Sequence, residues 1–287
     1  MSLYLLIIPV LLLLWFVLDR LVSKHYRPKD TKHTFDPGKF GIPFETVRFD
    51  TADGGNLSGW WIPGKQDGPV LILVHGWENN AGRLIRFIRE FHPLGYNLLA
   101  FDARSHGDSS FTAKTTVWSY TEDTLAAIRY VRERNGNDSR IGLVGFSIGG
   151  GAAINAAAHS AGIRTVLTVG AVAHPLEVMR LTFDRKGVPY IPLVWIFFRY
   201  LELRYNIRFN RIAPVRHIGK VPAPVFLIHG EDDRIVLPDQ SRKLMDAGNQ
   251  DLVRIWIAPG LAHGEWDNLP LFWERVLQYL DETIPVT

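Results

Sequence analysis

Gly145-Phe146-Ser147-Ile148-Gly149 decides how this 287-residue chain is read. Ahead of it, Ile141 to Val144 is a strand-like apolar run; behind it, Gly149 to Ala158 is a run of small residues with helical character. A serine between glycines on a strand-to-helix turn is the nucleophile-elbow pattern. Such a turn holds its serine in a strained backbone conformation and leaves almost no room for side chains at the flanking positions. The strain lifts the hydroxyl clear of the sheet. The helix behind it aims unsatisfied N–H groups and a positive dipole end at the same point. The pattern is short, and 25 glycines raise its chance occurrence, so its surroundings must decide. The plain alternative is a glycine-rich turn with a capping serine.

Outward from the elbow, the chain alternates strand and helix signals. Val70 to Val74, Tyr96 to Phe101, Ile141 to Phe146, Arg164 to Val169, Val225 to His229 and Val253 to Ile257 read as strands. Ala81 to Phe91, Thr121 to Arg134, Asp239 to Ala247 and Leu269 to Glu282 read as helices between and after them. Continuous apolar runs such as Val70 to Val74 belong to strands covered on both faces. Phe44 to Asp50 and Leu57 to Ile62 flank the turn Ala52-Asp53-Gly54-Gly55-Asn56 and read as a hairpin. The expectation is an α/β fold: a mostly parallel sheet with helices on both faces. About fifty residues between Gly170 and Val225 break the alternation. Their middle, Val188 to Tyr205, is rich in Trp, Tyr, Phe and Arg, which reads as a helical cap or lid inserted at about 173–215.

Composition limits the function. Hydrophobic residues make up 47% and charged residues 21%, which describes a globular chain with one unusually apolar part. A net charge of +3, without a basic patch interleaved with aromatics, gives no reason to expect a nucleic-acid partner. The absence of cysteine excludes disulfides, thiol catalysis and zinc–thiolate sites. No His-x-x-x-His or paired-carboxylate spacing calls for a metal, and nothing calls for a cofactor.

The apolar part is the N-terminus. Leu3 to Leu18 carries no charge and, as a helix, would span ~24 Å. Three readings compete. A signal peptide needs a basic start and a small-residue cleavage site, which Met1-Ser2 and Asp19-Arg20-Leu21-Val22 do not supply. A buried core helix needs an amphipathic pattern, which the run lacks. A retained membrane anchor over 1–23, embedded through 3–22, fits best, with 24–43 as a basic linker and 44–287 as the catalytic domain. Arg20, Lys24, Arg27, Lys29 and Lys32 all follow the run, which places the domain on the cytoplasmic face or against anionic headgroups.

Ligands of open α/β sheets bind beyond the carboxyl ends of the strands. Polar clusters fall at such ends: His75-Gly76-Trp77-Glu78, Asp102 to Gly107, Ser147, Glu231-Asp232-Asp233, and His263 after the last strand. One rim of the fold thus collects a serine, an acid and a histidine in that chain order. A serine hydroxyl must lose its proton as it attacks. An imidazole accepts and returns that proton near neutral pH. A buried carboxylate fixes the imidazole tautomer. The N–H groups of Ile148 and Trp77 are the candidate donors to a tetrahedral oxyanion.

These motifs resemble the α/β-hydrolase superfamily over roughly 44–282. His75-Gly76 resembles its oxyanion loop. Asp102-Ala103-Arg104-Ser105-His106-Gly107-Asp108-Ser109 resembles its loop after the fourth strand, with Ser105 where glycine is usual. His229-Gly230-Glu231-Asp232-Asp233-Arg234-Ile235-Val236 resembles its acid loop, and the spacing selects Asp233 over Asp232. Within the superfamily the chain resembles membrane-anchored hydrolases of the monoacylglycerol-lipase and serine-aminopeptidase-like kind. The resemblance implies Ser147 as nucleophile, His263 as base and Asp233 as its orienting acid. His75 is read as shaping the oxyanion loop, and Asp102 and Arg104 as a charged pair bracing the rim. The expected activity is hydrolysis of a short-to-medium acyl or lipid-like ester, with possible bilayer contact through 188–205. Amide, peptide or thioester hydrolysis by the same residues, and a non-catalytic tethered binding protein, are the alternatives.

Overall fold

The computed structural model describes residues 4–25, 28–29, 32–264, 266 and 269–286. Its strands are β1 (Glu45–Asp50), β2 (Asn56–Ile62), β3 (Val70–Val74), β4 (Asn97–Phe101), β5 (Ile141–Phe146), β6 (Ile163–Val169), β7 (Val225–Gly230) and β8 (Val253–Ala258). Its helices are α1 (Tyr4–His25), α2 (Ile85–Phe91), α3 (Val117–Asn135), α4 (Ile148–His159), α5 (Pro175–Asp184), α6 (Trp195–Tyr205), α7 (Phe209–Ile212), α8 (Asp239–Ala247) and α9 (Pro270–Thr283).

One eight-stranded sheet runs in the order β1-β2-β4-β3-β5-β6-β7-β8. The expected hairpin pairs β1 with β2, and β2 pairs antiparallel with β4; every other pairing is parallel. All residues of β3, β4, β5 and β7 are buried, because helices cover both faces. One face packs on α3, α4 and α8 through residues such as Ile72, Leu143, Ile154 and Leu244. The other packs on α2 and α9 through Leu71, Phe87, Leu167 and Phe272. Burying each such side chain contributes roughly 1.5–3 kcal/mol before chain entropy is counted. The winding reverses between β3 and β5, since β4 lies to one side of β3 and β5 to the other. That reversal opens a crevice at the carboxyl ends of β3 and β5, where the His75 loop and Ser147 sit.

The interruption between β6 and β7 is a helical cap made of α5, the segment Tyr190–Val194 with Ile191 in extended backbone, α6 and α7. It has its own apolar cluster around Phe198, Leu201, Tyr205 and Phe209. The N-terminal helix α1 leans on this cap. Trp15 meets Tyr200 edge-on at 4.9 Å between ring centroids, Tyr200 donates to Asp19 at 2.9 Å, Asp19 pairs with Arg204, and Val22 is buried in the cap cluster.

The N-terminal expectations meet a mixed outcome. α1 is one helix and runs two residues past the expected anchor boundary. Among the described residues, however, no helix is long and apolar enough to cross a membrane. The segment at 24–43 is less of a free linker than its composition implies. Residues 37–40 form a 3-10 turn capped by Asp36, and His33 donates to the buried Asp102 at 2.7 Å. Residues 1–3, 26–27 and 30–31 of these segments, Arg27 among them, lie outside the described residues.

Candidate active site

Ser147 stands at the end of β5 with φ 53° and ψ −119°, a positive-φ conformation that an L-residue adopts only under constraint. The constraint is visible in its neighbours. A Cβ on Gly145 would lie 2.4 Å from the carbonyl oxygen of Gly149. One on Gly149 would lie 2.4 Å from that of His75. Only glycine lets α4 approach β3 and β5 this closely. Ser147 N–H donates to Val169 O at 2.9 Å, and Ser147 O accepts from Gly150, Gly151 and Val172, so the turn is tied on all sides. Its hydroxyl sits at the N-terminus of the twelve-residue α4, the positive end of that dipole.

Asp233 and His263, the expected acid and base, lie in contact. His263 Nδ1 lies 2.6 Å from Asp233 Oδ2, while Asp233 Oδ1 accepts from Ile235 and Val236 N–H at 2.9 Å each. Asp232 is exposed and does not join this contact. Burial by itself would raise the Asp233 pKa. Hydrogen bonds from His229 and His263, the charge of His263 and the Val236 N–H overcome it and hold the carboxyl well below the usual carboxylate range. An ionised Asp233 fixes the proton on His263 Nδ1 and leaves Nε2 as the basic nitrogen. Ser147 and His263 line one cavity of about 130 Å³. Among the described residues no hydrogen bond joins the Ser147 hydroxyl to His263; in ligand-free sites such contacts are often long and tighten around substrate.

The two oxyanion candidates are arranged by their neighbours. His75 is fully buried; it donates from Nδ1 to Gly76 O at 2.7 Å and accepts at Nε2 from Ala103 N–H at 2.9 Å. Both ring nitrogens are therefore occupied by a neutral imidazole. Burial and the neighbouring His106 push its pKa down to about 4. Because Gly76 O is held on the His75 and Tyr120 side, the planar trans peptide turns Trp77 N–H to the opposite side. Ile148 is the first residue of α4, whose leading N–H groups have no helical acceptor. Neither Trp77 N–H nor Ile148 N–H has an acceptor among the described residues, and both residues line a cavity with Ser147.

The expected pairing of Asp102 with Arg104 is not what forms. Asp102 accepts from Ala81 N–H, Asp108 N–H and His33, whereas Arg104 binds Asp123, Glu122 and Asp53. Each braces the rim separately, because their side chains leave the loop in different directions. His33, Asp102 and Asp108 are close enough to suit a metal, but both oxygens of Asp102 are already engaged by those donors. His106 and His229 serve as loop fasteners: His106 accepts from Glu78 N–H, and His229 links Ser241, Val236 and Asp233.

Sequence reasoning missed the walls. Ser147 lies at the junction of two cavities. The 130 Å³ one is polar and holds His263, Asn79, Arg83 and Arg86. The second, of about 360 Å³, is apolar and runs beneath the cap between Trp77, Ile148, Met179, Leu201, Tyr205 and Val236. Arg83 and Arg86, three apart and immediately after the His75 loop, were a signal available in the sequence.

A strained serine at a sheet switch point, beside a carboxylate–imidazole pair, is the arrangement of a nucleophilic acyl-transfer site. A family model described as the alpha/beta hydrolase fold matches residues 69–192. Over those residues the chain is similar to the α/β-hydrolase family, and its overall fold is of the same kind. The uncharacterized protein YfhR of Salmonella typhimurium is 29% identical over 230 residues, covering 75% of this chain and 73% of that protein. In fold, the chain is similar to an esterase of Pyrococcus furiosus, Pf2001, with a TM-score of 0.74 at 24% identity, covering 90% of this chain and 98% of the other. It is also similar to Est1E of Butyrivibrio proteoclasticus, solved with ferulic acid bound, with a TM-score of 0.66 at 21% identity over 83% and 99% of the two chains.

Proposed function

We propose that this chain is a serine hydrolase of carboxylic esters. Ser147 attacks the acyl carbon, His263 takes its proton and returns it to the leaving oxygen, Asp233 orients His263, and water then cleaves the acyl-enzyme. Trp77 and Ile148 N–H groups hold the tetrahedral oxyanion. The observation that carries this reading is the 2.6 Å contact between His263 and Asp233 beside a serine held at positive φ. The apolar cavity under the cap favours an acyl chain of short to medium length. Pf2001, to which the chain is similar in fold, is an esterase, which points the same way. A fluorophosphonate probe should label wild-type protein and leave Ser147→Ala unlabelled. The same substitution should abolish turnover of p-nitrophenyl butyrate, and retained turnover would end the reading.

The protein acts, on the same reading, at a bilayer on the cytoplasmic side. Ile8, Leu12, Leu13 and Phe16 of α1 and Ile191, Leu193, Trp195 and Ile196 of the cap are all exposed, Ile191 at 73%. Tryptophan and aliphatic residues beside arginines suit the interface of a membrane. Co-sedimentation with anionic vesicles, weakened by Leu12→Glu with Phe16→Glu and by Ile191→Glu, tests this; vesicle binding indifferent to all three changes would refute it.

A further inference from the structure

The two cavities that meet at Ser147 have opposite chemistry, and the position of His263 decides what each receives. In acyl transfer the imidazole that deprotonates the serine must next protonate the leaving oxygen, so the leaving group departs on the imidazole side. His263 lines the polar cavity and is absent from the walls of the apolar one, whereas Ser147 belongs to both. The acyl chain therefore lies under the cap and the alcohol lies in the polar cavity.

That cavity carries Arg83, Arg86 and the Asn79 amide, and among the described residues lining it there is no carboxylate. His75, also in its wall, is held neutral. Arg86 is fixed in place: it donates to Gly264 O at 2.9 Å, and its guanidinium sits 5.7 Å and 5.9 Å from the ring centroids of Phe87 and Phe146. Arg83 projects from the short turn Ala81–Leu84 and is exposed at the cavity. An exposed guanidinium beside a second, anchored one makes a positive site suited to a carboxylate or a phosphate, while the Asn79 amide is held to Trp77 O at 3.1 Å. Building on the serine-hydrolase reading, we propose that the preferred substrates are esters whose alcohol portion bears an anionic group, received by the exposed Arg83, with the charge of the anchored Arg86 beside it. The step itself is ordinary acyl transfer. The Ser147 oxygen bonds to the acyl carbon, the bond from that carbon to the leaving oxygen breaks, and the serine proton passes through His263 to the anionic alcohol. Water then releases the acid.

The test uses the full chain and esters that share one acyl group. Butyryl 4-hydroxybenzoate is compared with butyryl 4-hydroxybenzamide, and monobutyryl glycerol 3-phosphate with monobutyryl glycerol, so the two arms separate carboxylate from phosphate. The readout is the ratio of kcat/KM for the anionic ester to that for its neutral partner. The ratio is expected to exceed about five in at least one arm at low salt and to shrink as salt screens the pair. Arg83→Gln should bring it near one, and Arg83→Lys should keep most of it. A wild-type ratio of one or below in both arms, or a ratio unmoved in Arg83→Gln, overturns the proposal. If neutral esters are cleaved without any charge preference, only this inference falls. If no ester is cleaved and the fluorophosphonate probe does not label Ser147, the serine-hydrolase reading falls with it.

Discussion

His263 Nδ1 and Asp233 Oδ2 stand 2.6 Å apart, and the other oxygen of Asp233 is tied to two backbone N–H groups. The carboxylate cannot rotate away without breaking these contacts and the one to His229, so it acts as a fixed stop for the imidazole. Asp233→Asn replaces a charged acceptor with an amide that permits the wrong tautomer. We expect kcat for p-nitrophenyl butyrate to drop by about 10³–10⁴ with KM little changed. Asp232→Asn, at an exposed position, should stay within about twofold of wild type in the same assay. Equal losses in the two variants would contradict the assignment.

Gly149→Ala probes the elbow itself. Its new Cβ would meet the carbonyl oxygen of His75 at 2.4 Å, where the first turn of α4 crosses the backbone just beyond β3. We expect a loss of about 1–3 kcal/mol in urea unfolding. Activity should fall further than that loss explains, since α4 and the oxyanion loop are forced apart. A variant of wild-type stability and activity would show that the contact relaxes freely.

Acid should destabilise the fold through His75. Its pKa is about 4 in the folded chain against 6.5 in the unfolded chain, so the unfolded state binds the extra proton between those values. Stability therefore declines as pH falls from 6.5 to about 4, by up to about 1.4 kcal/mol per pH unit from this group. His106 and His217, also lowered chiefly by burial, act in the same direction, whereas His33, raised by its bond to Asp102, opposes them. Asp233, depressed in the folded state, contributes stability above the unfolded carboxylate range and loses it only in stronger acid. Chemical denaturation of wild type and His75→Gln at pH 7, 6 and 5 checks this. The variant is expected to be less stable at pH 7 and to show a shallower pH slope.

Asp19 and Arg204 form a partly exposed pair between α1 and the cap. Such pairs contribute about 0.2–1 kcal/mol, so neither single alanine variant should unfold the protein. Loosening should instead appear as faster amide hydrogen exchange in α6. In a double-mutant cycle the combined variant should lose less than the sum of the single variants. Strict additivity would mean that the contact carries no coupling.

The elbow was legible because its sterics are local: five consecutive residues encode the turn, and the flanking apolar run encodes a strand buried on both faces. Asp233 and His263 were legible through motif spacing, although nothing in the sequence states that their side chains meet. What escaped depends on contacts between remote positions. His33 reaches Asp102 across 69 positions, and Tyr200 reaches Asp19 across 181, and neither pairing leaves a periodic trace. Asp102 and Arg104 looked like a pair because they stand two positions apart, but the chain turns at Arg104 and Ser105, the latter at φ 68°, and the two side chains leave in different directions. The cap was visible as an aromatic-rich interruption, while the shape of the chamber beneath it was not.

Helix α6 has two working sides. Tyr200 and Arg204, one turn apart, grip α1, and Leu201 and Tyr205, the next residues along, line the chamber beside Ser147. A single rod thus stands between α1 and the apolar cavity under the cap. The helix that holds Trp15 and Asp19 of α1 is therefore also a wall of the chamber that Ser147 opens into.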